Sequence, residues 1–297
     1  MSGSDSISPT AHYTGYVWSR NGLSHPALTT REGELLFASL QPAMLASRAV
    51  GGPSLEPYLM ARHLAIDARV ERAIESGAAT QVLEVAAGLS PRGWRFAQRY
   101  GERITYIEAD LPAMAQRKRQ ALKRIGTLGQ HHRVVDVDAL RAEGPQSLSA
   151  VGAELDSSAG LVIVTEGLLG YLSTEDVTAL WERFAALLKT FSAGRYVSDL
   201  HLGDVVTPVI KGFRVLLGAF VRGRVYLHFD SAEQAERALL AAGFRGGEVA
   251  PAALTLRGAG SAPQAGSSPG AGDAGARQRS ADGHRGARLA HILEAST

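Results

Sequence analysis

Apolar and polar positions recur along this chain with two different periods, and the switch between them organises it. Residues about 30–48 and about 55–76 carry apolar side chains at helical spacing, and in the second stretch Leu59, Leu64, Ile66, Val70 and Ile74 line one face. Pro42 is expected to interrupt the first helix and Gly77 to stop the second. Beyond Gly77, short apolar runs alternate with helix-length segments. Strands are predicted at Val82–Ala86, Ile104–Ala109, His132–Val137, Leu161–Thr165 and Tyr196–Leu200. Helices are predicted at Arg92–Tyr100 with Ser90 as N-cap, at Pro112–Arg124 with proline in the first turn, and at Ser173–Lys189. In the last of these, Ser173 and Asp176 form the Asp variant of a capping box. Strands separated by helices imply a parallel α/β sheet with right-handed crossovers.

The two ends read differently. Ala232–Ala242 is a helix closed by Gly243, and a weak strand lies within Phe244–Leu256. A stretch rich in Gly, Ala, Ser and Pro follows, a flexible loop over 257–288. Leu289–Ser296 returns to a strand pattern, and with no helix before it the pairing should be antiparallel. At the other end, residues 1–10 read as disordered. Residues 11–28 set Tyr13, Tyr16, Trp18 and His25 among polar neighbours, too mixed a pattern for a core element. The expected organisation is a partly disordered N-terminal flap, 1–28, and one domain over 29–297.

Composition narrows the function. Of 297 residues, 45% are hydrophobic and 20% charged, ordinary values for a globular chain. Thirty-one basic against 29 acidic residues, without like-charge blocks, give no nucleic-acid footprint. Cysteine is absent, which excludes disulfides, thiolate-bound metals and a thiol nucleophile, and no metal site is expected. Neither a signal peptide nor a membrane-spanning run is read, so the expected location is the cytoplasm, with no membrane partner.

The candidate chemistry starts at "QVLEVAAGLSPRG", Gln81 to Gly93, a strand, a glycine bend and a helix. A dinucleotide site needs G-x-G-x-x-G, and here those positions are Ala86, Gly88 and Pro91. A short-chain reductase would also need Tyr-x-x-x-Lys, which no tyrosine supplies. Glu84 on the strand before the bend would repel a phosphate and suit an ammonium group. In "TYIEADLP", Glu108 and Asp110 are both candidates for ribose hydroxyls at the end of the second strand. A ligand with a ribose, a purine and an amino-acid end fits these parts, which is S-adenosylmethionine.

These segments resemble the leucine carboxyl methyltransferase family, most closely its bacterial small-molecule branch with the tetracenomycin-type polyketide O-methyltransferases. The resemblance runs over about 58–200. It rests on "YLMARHLAID", "VLEVAAGLSPRG", "YIEADLPAMAQRKR", "VVDVDAL" and, most specific, "VTEGLLGYLS", in that order. It implies a class I methyltransferase fold: a Rossmann-like sheet, mostly parallel, with an antiparallel C-terminal strand and helices on both faces. It also implies site roles. Arg62 would reach the methionine carboxylate, Gly88 would pack against the cofactor, and Asp110, with Glu108 beside it, would hold the ribose. Asp136 and Val137 would flank the adenine, and Glu166 would lie near the cofactor's amino group. The chain departs from the family in having Ala86 where glycine is common and Ser90 where an aspartate is common, which leaves a non-catalytic relative as the alternative.

The implied reaction is O-methylation of a small-molecule acceptor, a carboxylate or a phenol of a polyketide-like compound. A carboxylate is already ionised at neutral pH; a phenol needs a base. Among His12, His25, His201 and His228, His201 is the candidate, because it follows the fifth strand. Tyr13 and Tyr16, with Trp18 and Arg20, suggest an aromatic flap over the acceptor, and His201, Tyr13 and Tyr16 are the expected catalytic-side residues.

Overall fold

The computed structural model describes residues 9–49, 55–203, 226–258, 283–284 and 286–297. Seven strands form one sheet: β1 (Gln81–Val85), β2 (Thr105–Asp110), β3 (His132–Asp136), β4 (Leu161–Thr165), β5 (Gly194–Leu200), β6 (Gly246–Pro251) and β7 (His291–Ser296). Their order is β3-β2-β1-β4-β5-β7-β6; the first five run parallel, and β7 lies antiparallel between β5 and β6. The central strands β1, β4 and, but for Arg195, β5 are buried along their whole length, as a sheet covered by crossover helices requires, while β3 at the edge is only partly buried.

Side chains alternate across the sheet. Leu83 and Val85 of β1, with Ile107 and Ile163, face one side. There they meet Trp181 and Phe184 of α7 (Thr174–Leu188), Val151 of α6 (Leu148–Gly152) and Leu239 of α8 (Ala232–Ala241). Val82, Val162, Val197 and Ile292 face the other side. They meet Ile66 and Val70 of α3 (Leu55–Glu75), Phe96 of α4 (Arg92–Tyr100) and Leu256 of α9 (Ala252–Gly258). α5 (Pro112–Ile125) packs beside β3, through Leu122 and Val134. Ser173 caps α7 as expected, its Oγ accepting from the Asp176 N–H at 3.1 Å.

Several expectations are corrected. Residues Pro9–Arg20 form a helix, α1, whose Tyr13, Val17 and Trp18 are buried, so this segment does contribute to a core. Helix α2 (Arg31–Ala49) passes through Pro42 without ending. Pro42 and Ala38 are both exposed, so the carbonyl that loses its helical partner faces water. Pro91, not Ser90, occupies the N-cap of α4, although Ser90 Oγ accepts from Arg92 N at 3.3 Å. The weak strand expected within Phe244–Leu256 is β6, followed directly by α9, but Gly286–Leu289 is helical, so the last strand starts at His291 and not at Leu289. Most of the 257–288 loop and residues 1–8 lie outside the described residues.

Among the described residues β7 supplies the one strand partner of β6, and it covers one edge of β5. Deleting residues 291–296 is therefore expected to expose two edges and the apolar Ile292–Leu293 contacts, and to yield insoluble protein. Soluble, monodisperse protein on size-exclusion chromatography would show that the sheet closes without it.

Candidate active site

A cavity of about 400 Å³ opens at the carboxyl ends of β1, β2, β4 and β5, where the strand order reverses between β1 and β4. That is where open α/β sheets bind ligands, and the volume is in the small-molecule range. α1, α2 and α3 roof it with Tyr13, Trp18, Leu36, Leu40, Tyr58 and Leu59.

The loop after β1 forms the floor. Ala86 (φ +54°) and Gly88 (φ +51°) both adopt left-handed backbone, and three contacts hold the turn there. Ala87 N donates to Ala109 O at 3.1 Å, Lys118 Nζ donates to Ala87 O at 3.3 Å, and Gly88 N donates to Asp110 Oδ2 at 2.7 Å. Asp110 Oδ1 accepts the Leu111 N–H at 2.8 Å. Each Asp110 oxygen has thus used one acceptor position and retains another for a ligand diol. Burial pushes the Asp110 carboxyl up, against the pull of these two N–H groups.

Ala86 bears a cost of about 1–2 kcal/mol in this conformation, because its Cβ crowds the following carbonyl. Ala86→Gly should remove it and open the loop. The expected result is a net stabilisation of about 1 kcal/mol after the added unfolded-state entropy of glycine, with tighter ligand binding, checked by melting curves with and without S-adenosylhomocysteine. Lower stability would mean that the alanine methyl is a packing contact.

A buried ionic network forms the wall beneath α3 and α4. Arg92 donates to Asp67 Oδ1 (2.5 Å), Glu84 Oε1 (2.5 Å) and Glu166 Oε2 (2.6 Å). Arg62 donates to Glu166 Oε1 (3.0 Å) and Asp199 Oδ2 (3.3 Å), and Gly167 N donates to Asp199 Oδ1 (2.7 Å). His63 Nδ1 lies 2.8 Å from Glu166 Oε2, and the Tyr106 hydroxyl donates to Glu84 Oε2 at 2.8 Å. Burial alone would push Glu166 up, but the charges of His63, Arg62 and Arg92 outweigh it and hold the carboxyl well below its usual range.

Of the residues singled out from sequence, Arg62, Glu84, Gly88, Asp110, Glu166, Tyr13 and His201 all line this cavity. Both Glu84 oxygens and both Glu166 oxygens already have protein partners. The other four lie outside it. Tyr16 packs on Phe37, with ring centroids 5.1 Å apart. Glu108 is fully buried below the loop, paired with Lys118 and accepting from His132 Nε2 at 2.7 Å. Asp136 pairs with Arg119 at 2.7 Å, and Val137 is core, its N–H donating to Asp110 O. His12, His25 and His228 are not in the cavity lining. Sequence reasoning missed Arg92, Asp199 and Tyr58. For Asp199 a signal existed, a carboxylate at the carboxyl end of β5, next to its last residue, much as Asp110 ends β2. For Arg92 there was none, since its partners come from three separate segments.

The family model described as leucine carboxyl methyltransferase matches residues 27–185. A proposed S-adenosyl-L-methionine-dependent methyltransferase of Mycobacterium leprae is 30% identical over 156 residues, 51% of this chain and 50% of that protein. A similarly described protein of Mycobacterium tuberculosis is 33% identical over 107 residues, 36% of this chain and 34% of its own length. The chain thus spans at most half the length of these curated relatives. Among solved structures, a proposed methyltransferase from Thermobifida fusca superimposes with a TM-score of 0.60 at 15% identity, covering 97% of each chain. A DUF574 family protein from Streptomyces avermitilis gives 0.57 at 14% identity, covering 96% of each. At these identities the two structures establish a shared fold.

Proposed function

Because the chain belongs to the leucine carboxyl methyltransferase family, we propose that it binds S-adenosylmethionine and methylates an oxygen of a small-molecule acceptor, a carboxylate or phenol of a polyketide-like compound. The observation that carries this reading is Asp110. It stands at the tip of β2, faces the cavity, and is anchored by the backbone of the loop it must share with a ligand. The fit extends along the cavity. Asp110 would hold the ribose diol, and Gly88, with open space beside it apart from the Ala11 methyl at 3.7 Å, would let a ligand approach the backbone. Arg62 would meet the amino-acid carboxylate. S-adenosylmethionine supplies an electrophilic methyl group when bound. The chain's own contribution is positioning: the floor and the network wall orient one end, and the apolar roof excludes water from the other.

Binding of S-adenosylhomocysteine tests this directly. It should raise the melting temperature by linkage and give a calorimetric isotherm that NADH does not perturb. Absence of both at a large ligand excess would leave the non-catalytic alternative, which the Ala86 methyl at the loop favours.

A further inference from the structure

We propose that Tyr58 and His201 are the proton-accepting pair for an acceptor hydroxyl, and hence that the acceptor is an uncharged phenol or enol rather than a carboxylate. The proposal rests on the methyl-transfer reading and selects between its two acceptor classes.

The first argument is position. Asp110 and the Gly88 loop mark the end of the cavity over β1 and β2. His201, one residue past β5, and Tyr58, in the first turn of α3, mark the opposite end. Leu36, Leu40, Leu55 and Leu59 give that end an apolar lining suited to an aromatic acceptor.

The second is the contact itself. Tyr58 Oη lies 2.9 Å from His201 Nε2. Burial raises the Tyr58 phenol; Arg62 opposes this and Asp199 and Glu166 reinforce it, so the group keeps its proton and can donate it to His201 in the tautomer whose Nε2 is unprotonated. In that tautomer His201 Nε2 accepts, and Tyr58 Oη, beside Arg62, keeps a lone pair for an incoming hydroxyl.

The third is charge. Among the described residues lining the cavity, Arg62 is the one arginine or lysine, and Glu166 and Asp199 already engage it. A carboxylate acceptor at this end would face the Glu166 and Asp199 carboxylates, with no second cation among the described lining residues. A neutral hydroxyl avoids that repulsion but must lose a proton.

The step balances as follows. The acceptor hydroxyl passes its proton to Tyr58 Oη while Tyr58 passes its own to His201 Nε2. The oxygen's electron pair forms the bond to the methyl carbon, and the carbon–sulfur bond breaks with its pair left on sulfur. Tyr58 ends unchanged, and His201 ends as the imidazolium, which returns its proton to solvent.

The test uses 4-nitrophenol and 4-nitrobenzoate with the full chain. At a pH where free 4-nitrophenol is mainly neutral, binding should generate the phenolate absorption band. His201→Gln and Tyr58→Phe should lose that band while binding S-adenosylhomocysteine as the parent does. With S-adenosylmethionine, methyl transfer to the phenol should fall about 10²–10⁴-fold in His201→Gln, the usual contribution of a positioned base. Failure of 4-nitrophenol to bind, no phenolate band in the parent, an undiminished band in His201→Gln, or equal methylation of 4-nitrobenzoate would overturn the proposal. S-adenosylhomocysteine binding decides the methyl-transfer reading separately.

Discussion

Arg92→Met is expected to destabilise the protein by about 3–5 kcal/mol, the cost of stripping the cation from a buried ionic cluster. Arg92 is fully buried and bridges Asp67, Glu84 and Glu166, so methionine would fill much of its volume and leave three carboxylates facing one another. The urea midpoint should fall with little change in the denaturant slope, and the melting temperature by roughly 6–20 °C. The pH dependence has a definite sign. Asp67 and Glu166 have folded-state pKa values below their ordinary ones, since for each burial is outweighed by neighbouring positive charge. Their contribution is fully present above the ordinary carboxylate range and is lost as pH falls through the depressed values. Arg92→Met should move that acid-side loss to higher pH. An unchanged midpoint would mean that the remaining cations, Arg62 and Arg95, satisfy the wall without Arg92.

Asp110→Ala is expected to weaken S-adenosylhomocysteine binding roughly 10- to 150-fold, from the loss of charge-assisted hydrogen bonds worth about 1.5–3 kcal/mol. Glu108→Ala, two residues earlier on the same strand, should do the opposite. It would leave Lys118 buried without its counter-ion and lower stability, with a smaller effect on affinity. Calorimetry and urea unfolding on both variants separate the two roles; affinity falling more in Glu108→Ala would move the ribose contact there. Because burial raises the Asp110 pKa, affinity should also decline on mild acidification, at a higher pH than an ordinary aspartate would cause. Asp110→Asn should flatten that decline.

The sheet was legible because β1 and β4 are short runs rich in Val, Ile and Leu bounded by turns, and the other parallel strands recur at the same helix-length spacing. The antiparallel β7 was legible for a related reason, an apolar cluster beyond a stretch rich in Gly, Ala, Ser and Pro. Helix α1 was not. Its buried face mixes Tyr13, Val17 and Trp18 with His12, Thr14 and Gly15, so burial there follows from tertiary contact rather than from an apolar stripe. The site divides along the same line. Gly88 and Asp110 each follow from a strand–turn–helix segment, the first between β1 and α4 and the second between β2 and α5. Glu108 and Asp110 are alike in sequence and share one face of β2; only their place along the strand separates them, Asp110 at its carboxyl tip beside the cavity and Glu108 one repeat below it, beneath the loop. The Arg92 network joins side chains from α3, β1, α4 and the end of β4, a convergence with no local trace in the chain.

The place of β7 also has a consequence during synthesis. Leu200 of β5 pairs with His291, about ninety residues later in the chain. At a translation rate of roughly 5–20 residues per second, β5 waits about 5–20 s for the strand that covers its edge. Through that interval the nascent sheet ends in an open row of backbone donors and acceptors, and the pairing that closes it is among the most sequence-distant in the molecule, hence slow to form. A ribosome stall before residue 291 would hold the chain in a form prone to pairing with other nascent copies, so the yield of folded protein should respond to chaperone supply and to temperature during expression more than the stability of the finished domain suggests.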